Sequence, residues 1–245
     1  MALSVFDLFT IGVGPSSSHT VGPMRAALRF ARLLADQGTL PRTDAVHCEL
    51  FGSLGATGHG HGSVRAVLLG LTGEQPETVD PDAAPGIVTA IQARGRLALD
   101  GGHDIAFCPD TDLVLHRRKT LPGHPNGMIF RAADGAGTVL AERTYYSVGG
   151  GFVLEEPAAG GPAITAGRTP VRYPFRTAAD LLAHCCQRHL RISDVMRCNE
   201  HAWRSDPEID AGLLHIWDAM AACVQRGCTR DGVLPGGLKV PLPHA

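Results

Sequence analysis

Residues 12–24 read GVGPSSSHTVGPM, and the rest of the chain can be interpreted outward from this stretch. Three consecutive serines, a histidine and a threonine lie between two Gly/Pro pairs. The first pair, Gly14 and Pro15, interrupts any preceding strand and lets the backbone approach a ligand closely. The second pair, Gly22 and Pro23, is typical of a helix start. The stretch therefore predicts a polar loop that leads directly into a helix.

The residues after this loop have the spacing of an amphipathic helix, which we predict over residues 23–35. Its apolar positions recur at intervals of three and four residues: Met24, Ala27, Leu28, Ala31 and Leu34. The unpaired N–H groups and the dipole of a helix start favour an anion. Four hydroxyl groups and an imidazole add polar groups there: Ser16, Ser17, Ser18, Thr20 and His19. We expect a carboxylate or a phosphate to bind; the alternative is that one hydroxyl caps the helix and the others face water.

Composition narrows the class of protein. The chain has 245 residues, 44% of them hydrophobic, which is enough for one large domain or two smaller ones. The net charge of −2 gives no basic stripe, so we expect no nucleic-acid partner. No apolar run approaches the roughly 20 residues of a membrane span, and the N-terminus does not read as a signal peptide. We therefore expect a cytoplasmic protein without a membrane partner.

The seven cysteines are odd in number and include no CxxC pair. They predict reduced thiols, with neither a disulfide framework nor a zinc ribbon. No phosphate-binding GxxxxGK[ST] motif is present, which disfavours nucleotide binding. The only lysines are Lys119 and Lys239, and neither has a context that favours a pyridoxal phosphate Schiff base.

A second strand, loop and helix unit carries two histidines. Apolar residues alternate over residues 45–51, which predicts a strand, and residues 63–71 predict a short helix. Between them, GSLGATGHGHG contains five glycines and is interpreted as a loop that ends with His59 and His61. The pair could bind a metal, although no third ligand is near in sequence; it could act on a substrate; or the residues could be ordinary loop histidines.

The remainder of the first 156 residues mixes one helix with hairpin-spaced strands. We predict a helix over residues 87–97 and strands over 105–108, 113–116, 128–131 and 139–148. The loop LPGHPNGM holds His124 and Asn126, a possible functional pair; an ordinary turn is the alternative, because Asn before Gly is a common turn dipeptide. The pattern predicts an α+β sandwich and not a strict βαβ repeat.

The chain changes character after residue 156. Residues 157–172 are interpreted as a linker, and residues 173–245 as helical. Helices are predicted to start near Thr177, Ser193 and Ser205, with the last one ending near Gly227. Three amphipathic helices do not close a core by themselves. We therefore interpret residues 173–245 as the incomplete start of a larger all-α domain.

Several long segments resemble one family. SVFDLFTIGVGPSSSHTVGPMRAA, GHGHG, HPNGM and ERTYYSVGGGF are similar to the N-terminal β domain of iron–sulfur-dependent L-serine dehydratase, also called L-serine ammonia-lyase. NEHAW, SDPEIDAGLLHIWDAM and RDGVLPGGLKV resemble the opening of the α domain in the single-chain form of that family. The resemblance covers essentially the whole chain. It assigns residues 1–156 to the β domain and residues 173–245 to the first part of the α domain.

This resemblance implies that L-serine loses water and is converted to pyruvate and ammonia. A [4Fe–4S] cluster of the full-length family would act as a Lewis acid on the β-hydroxyl. Ser16, Ser17, Ser18, His19 and Thr20, together with Asn126, would bind the substrate. His61 and His124 would be the catalytic candidates for proton transfer, and which of them is the base stays open.

One departure limits what the resemblance implies. The family's cluster-binding cysteines lie beyond the end of this chain, so no metal ligand is expected within it. We expect the chain to need the remaining α domain or a partner subunit, and to form a homo-oligomer.

An alternative function is that of a binding module, because the β domain also resembles the allosteric domain of some phosphoglycerate dehydrogenases. A third possibility is a non-functional gene fragment.

Overall fold

A computed structural model describes residues 3–156, 169–229, 231–233 and 241. Contacts divide the chain into two compact units. One is a mixed α/β unit that begins at Gly12 and runs to Glu156; the other is helical and contains residues 3–11 together with the helices after residue 169. Most of the predicted linker, residues 157–168, lies outside the described residues.

The elements are as follows in chain order. The helical unit starts with α1 (Val5–Leu8). The α/β unit then contains a π-helical turn (Ser17–Val21), α2 (Gly22–Asp36), a 3₁₀ turn (Leu40–Arg42), β1 (Ala45–Phe51), α3 (Gly52–Thr57), α4 (Ser63–Leu71), α5 (Ala84–Arg94), β2 (Arg96–Leu99), β3 (His103–Ala106), α6 (Pro109–Asp112), β4 (Leu113–His116), β5 (Gly127–Ala133), β6 (Val139–Gly149) and β7 (Phe152–Glu155). The helical unit resumes with α7 (Ala178–Arg188), α8 (Ile192–Glu200) and α9 (Asp206–Thr229).

The α/β unit is built on a five-stranded mixed sheet in the order β4-β1-β5-β6-β7. β1 pairs in parallel with β4, and the other neighbours are antiparallel. Helix α2 packs against α4 and against strands β5, β6 and β7. Aromatic rings join these layers, since Phe30 of α2 stacks on Phe130 of β5 at 5.6 Å and Phe130 meets Tyr145 of β6 at 5.9 Å. The predicted α+β class is confirmed.

Several predicted elements match the observed ones closely. The strand over residues 45–51, the helix over 63–71 and the strand over 113–116 have the predicted bounds, and the predicted 23–35 helix is α2.

The helix predicted over residues 87–97 is wrong at its end: α5 stops at Arg94 because Gly95 adopts φ +60°. The next four residues form β2, which pairs with β3 and contributes two buried leucines. β2 was not predicted because the predicted helix already included its first two residues, Arg96 and Leu97.

The glycine-rich stretch after β1 is also different from its prediction. Residues 52–57 form helix α3 and not a loop. A Cβ on Gly55 would lie 2.4 Å from the carbonyl oxygen of His116 and 2.7 Å from that of Leu50. Glycine is therefore needed here for close packing of a helix against the ends of two strands, and its presence does not indicate flexibility.

In the helical unit, α7 begins as predicted with a capping box formed by Thr177 and Asp180. Helix α8 begins earlier than predicted, with Arg191 and not Ser193 at its cap position. Residues 3–11 contact this unit at Glu200, a residue of α8 that is only 2% exposed. Its carboxylate accepts hydrogen bonds from Ser4 Oγ at 2.9 Å and from the Val5 amide at 2.5 Å.

Helix α9 presents large apolar side chains to solvent: Leu213, Leu214, Trp217, Met220 and Val224. Exposed apolar patches of this kind are typical of interaction surfaces. Among the described helices, none has the combination of length and apolar character that a membrane span requires.

Candidate functional site

The polar turn at residues 16–20 forms the start of a continuous helical segment. Ser16 is its N-cap: its hydroxyl accepts from the His19 amide at 3.3 Å, and its carbonyl accepts from the Thr20 amide at 2.9 Å. The amides of Ser17 and Ser18 donate to no acceptor within the described residues, as expected for the first turn of a helix. The predicted cluster of hydroxyls at a helix start is confirmed.

Of the three serines, Ser17 is the one whose side chain is exposed. Ser16 Oγ and Ser18 Oγ lie 3.4 Å apart and are half-buried. Two unpaired amides and three neighbouring hydroxyls therefore share a small surface. An anion is the ligand that such a set of donors favours.

The imidazole of His19 is held between two hydroxyl groups. Its Nδ1 lies 2.9 Å from Ser18 Oγ, and its Nε2 lies 2.9 Å from Ser53 Oγ at the start of α3. The pKa of His19 is lowered, first by burial and then by the nearby charge of His61, while a hydrogen bond to the Ser53 backbone opposes this. These contacts favour a neutral ring that can donate from one nitrogen and accept at the other.

His61 is brought to the same place from the loop before α4. Its ring centroid is 5.0 Å from that of His19. Its Nδ1 lies 3.2 Å from the carbonyl oxygen of Thr57. Because a carbonyl only accepts, this bond requires hydrogen on Nδ1 and leaves the Nε2 lone pair of the neutral ring free. His61 is exposed, so that lone pair is accessible to a ligand.

Thr20 faces the interior and not the open side of the turn. It is 1% exposed. Its hydroxyl accepts from the Ser16 amide at 3.3 Å and donates to the His61 carbonyl at 3.0 Å. The side chain of Thr20 thus ties the polar turn to the loop that carries His61.

Asn126 reaches the turn through Ser147. Its Nδ2 donates to the Ser147 carbonyl at 3.1 Å, and the Ser147 hydroxyl donates to the Ser18 carbonyl at 2.8 Å. His124 accepts a hydrogen bond from the Asn126 amide at its Nδ1, at 3.1 Å, so its neutral form carries hydrogen on Nε2. In the described residues, no hydrogen bond joins His124 to the turn.

Three residues of this network were not predicted from the sequence: Ser53, Ser147 and also Ser63, whose hydroxyl donates to the main-chain carbonyl of His19. Ser53 and Ser63 lie at the two ends of the GSLGATGHGHGS stretch, and Ser147 lies in the segment YYSVGGG. Nothing in their local pattern marks them, because only the sheet and the packed helices bring these hydroxyls to the turn.

The described residues do not fit an iron–sulfur cluster. Among them, no three His, Cys, Asp or Glu side chains lie together in a way that could hold a metal ion. Cys48 lies on β1 with its side chain in the core, where burial raises the pKa of its thiol.

Comparison with known proteins places these features in a family. Residues 4–158 match the family described as "Serine dehydratase beta chain". The chain is 57% identical over 240 residues to the "L-serine dehydratase" of Streptomyces coelicolor, which covers 98% of this chain and 53% of that protein. It is 46% identical over 242 residues to the "L-serine dehydratase" of Mycobacterium tuberculosis, covering 98% of this chain and 51% of that relative.

"L-serine dehydratase 1" of Escherichia coli is 42% identical over 240 residues, or 98% of this chain and 52% of its own length. All three relatives carry the name L-serine dehydratase. The chain belongs to the serine dehydratase β-chain family. It spans about half the length of the curated relatives that it matches.

Proposed function

We propose that this chain supplies the serine-binding part of an L-serine dehydratase, an L-serine ammonia-lyase that converts L-serine to pyruvate and ammonia. The observation that carries the proposal is the pair of unpaired amides at Ser17 and Ser18, surrounded by hydroxyls and flanked by two imidazoles. The dehydration of L-serine is inferred from the names of the relatives, which are L-serine dehydratases.

The substrate carboxylate binds at the open face of the turn. Ser17 and Ser18 donate from the backbone, and the hydroxyls of Ser16, Ser17 and Ser18 complete the contact. Such charge-assisted bonds are shorter and about twice as strong as neutral ones. His19 contributes by holding the hydroxyls of Ser18 and Ser53 through its two ring nitrogens, whereas Thr20 contributes through the loop that it holds.

Removal of the α-proton is assigned to His61. A general base needs a free lone pair within reach of the proton that it takes. The bond between His61 Nδ1 and Thr57 leaves Nε2 available for this, whereas the neutral form of His124 presents an N–H group at Nε2. His124 is therefore suited to donate a hydrogen bond or a proton, and Asn126 to position it or the substrate.

The remaining parts of the enzyme come from outside these residues. The family's [4Fe–4S] cluster and the rest of the α domain are supplied by further sequence or by a partner subunit. This chain alone is then inactive. We assign residues 1–156 to the β domain, 157–172 to a linker and 173–245 to the start of the α domain, in a cytoplasmic homo-oligomer.

A second candidate function is a serine-binding or oligomerisation module without catalysis. The observation in its favour is that the turn at residues 16–20 is completed by hydrogen bonds within its own α/β unit. Both functions predict serine binding, and only the first predicts that His61 is needed for turnover.

A chimaera tests the proposal. This chain would replace the matching 240 residues of the Streptomyces coelicolor relative, with the rest of that protein retained. We expect serine-dependent pyruvate formation that falls at least about 100-fold in His61→Gln, as is usual when a general base is lost, and little change in the control His215→Gln. A folded, cluster-loaded chimaera without activity, or one indifferent to His61→Gln, would contradict the assignment.

A further inference from the structure

Two buried hydroxyl groups lie directly beneath the polar turn. Ser63, the first residue of α4, and Ser147 of β6 are both 0% exposed. Ser63 Oγ donates to the main-chain carbonyl of His19 at 2.6 Å, and Ser147 Oγ donates to that of Ser18 at 2.8 Å. Two elements that are far apart in sequence thus hold two consecutive carbonyls of the turn.

Pro23 removes a backbone donor that one of these carbonyls would otherwise have. In an α-helix the N–H of residue 23 would bond the carbonyl of His19, and in the wider π-helical pattern it would bond that of Ser18. Proline has no N–H, and the amide of Gly22 already bonds the Ser17 carbonyl. The hydroxyls of Ser63 and Ser147 supply donors where proline removes one.

The two hydroxyls also set the direction of the adjoining amides. A peptide group is planar, so fixing the Ser18 carbonyl fixes the His19 N–H, and fixing the His19 carbonyl fixes the Thr20 N–H. Those two amides bond the hydroxyl and the carbonyl of Ser16. The shape of the whole turn, including its unpaired amides, is thereby tied to the buried serines.

Gly22 is part of the same arrangement. A Cβ at this position would lie 2.0 Å from Ser147 Oγ, so a larger residue would displace the hydroxyl. Ser147 carries a second contact, since its carbonyl accepts from Asn126 Nδ2. One residue thus connects the turn with the loop of the H-x-N pair.

We propose that Ser63 and Ser147 are positioning residues that hold the turn at residues 16–20 in its anion-binding shape. They act through the backbone and touch no substrate. The inference rests on the proposed function for its ligand, L-serine, but the rigidity of the turn can be measured without any ligand.

The test compares Ser63→Ala and Ser147→Ala with Thr43→Val. Thr43 is a matched control because it is also 0% exposed and its hydroxyl also donates to a main-chain carbonyl, that of Thr39 at 3.1 Å. Amide hydrogen exchange over residues 17–21 is measured in the ligand-free chain, and L-serine affinity is measured by calorimetry. Ser147→Cys, which keeps a weak donor, serves as a milder variant.

We expect each serine-to-alanine variant to speed exchange of the turn amides and to weaken serine binding about tenfold, which corresponds to about 1.4 kcal/mol. Ser147→Cys should change both less, and Thr43→Val should change neither. Unchanged exchange in both alanine variants, or equal changes in Thr43→Val, would overturn the inference. If the unaltered chain binds no serine, the proposed function fails, and hydrogen exchange still decides the role of the two serines.

Discussion

At the scale of single residues, the ionisation of His19 depends on its neighbours. Burial is the larger cause of its lowered pKa, and the charge of His61 is the next. A neutral His19 can accept a hydrogen bond from one hydroxyl and donate to another, whereas a protonated ring can only donate. The state of this ring therefore controls which hydrogen bonds the turn offers to a ligand.

Replacing His61 should raise the pKa of His19, because a neighbouring positive charge that disfavours protonation is removed. We expect His61→Gln to move the His19 titration upward in ring-detected NMR, while burial keeps it below the ordinary value. His59→Gln, two residues away in the same loop, is the control and should leave it in place. A His19 titration that does not respond to His61→Gln would contradict the coupling.

The same shift has a consequence for stability. A histidine whose folded pKa lies below its unfolded value of 6.5 binds fewer protons in the native state over the interval between the two values. The free energy of unfolding therefore rises with pH across that interval, and its contribution is lost as the pH falls from about 6.5 through the folded pKa. This part of the pH dependence should be absent in His19→Gln.

At the scale of elements, helix α3 places Ser53 beside His19, and it depends on glycine at one position. The virtual Cβ of Gly55 meets two main-chain oxygens, and these cannot move without displacing β1 or β4. A Cβ on Gly60, five residues further on, has no neighbour closer than 3.7 Å. Close packing therefore requires glycine at position 55 but not at position 60.

We expect Gly55→Ala to lower the free energy of unfolding by about 3 kcal/mol, the upper part of the range for overpacking. Gly60→Ala should change it by less than about 1 kcal/mol. Urea unfolding followed by circular dichroism measures both. Equal losses of unfolding free energy in the two variants would contradict this account, because they would show that the close contact between Gly55 and the two carbonyl oxygens does not determine the position of α3.

Local pattern was sufficient for the elements with clear periodicity and for the polar turn. The helix after Pro23 and the strand at residues 45–51 were predicted because their apolar spacing is regular. Helix α3 was not predicted, because a segment with several glycines is interpreted as a loop when the residues that pack against it are unknown. Ser63 and Ser147 were not predicted as site residues, because their hydroxyls reach the turn only when α4 and β6 pack against it.

At the scale of the whole molecule, the chain is about half as long as its relatives. The α/β unit has a closed core and a complete polar turn, whereas α9 exposes a stripe of apolar side chains that includes Leu214 and Trp217. This contrast agrees with the proposal that the α/β unit binds the ligand. We therefore expect the isolated chain to bind L-serine.

Calorimetric titration of L-serine into the isolated chain tests that claim most directly. Variants Ser17→Ala and His19→Ala would be titrated alongside Ser193→Ala, an exposed serine on α8. We predict saturable binding that weakens at least about tenfold in the first two and is unchanged in the third. Ser17→Ala loses a hydrogen bond to the charged carboxylate, and His19→Ala leaves the hydroxyl of Ser18 without the ring that holds it. A folded chain that binds no serine, or binds it equally well in all three variants, would contradict a carboxylate site at residues 16–20.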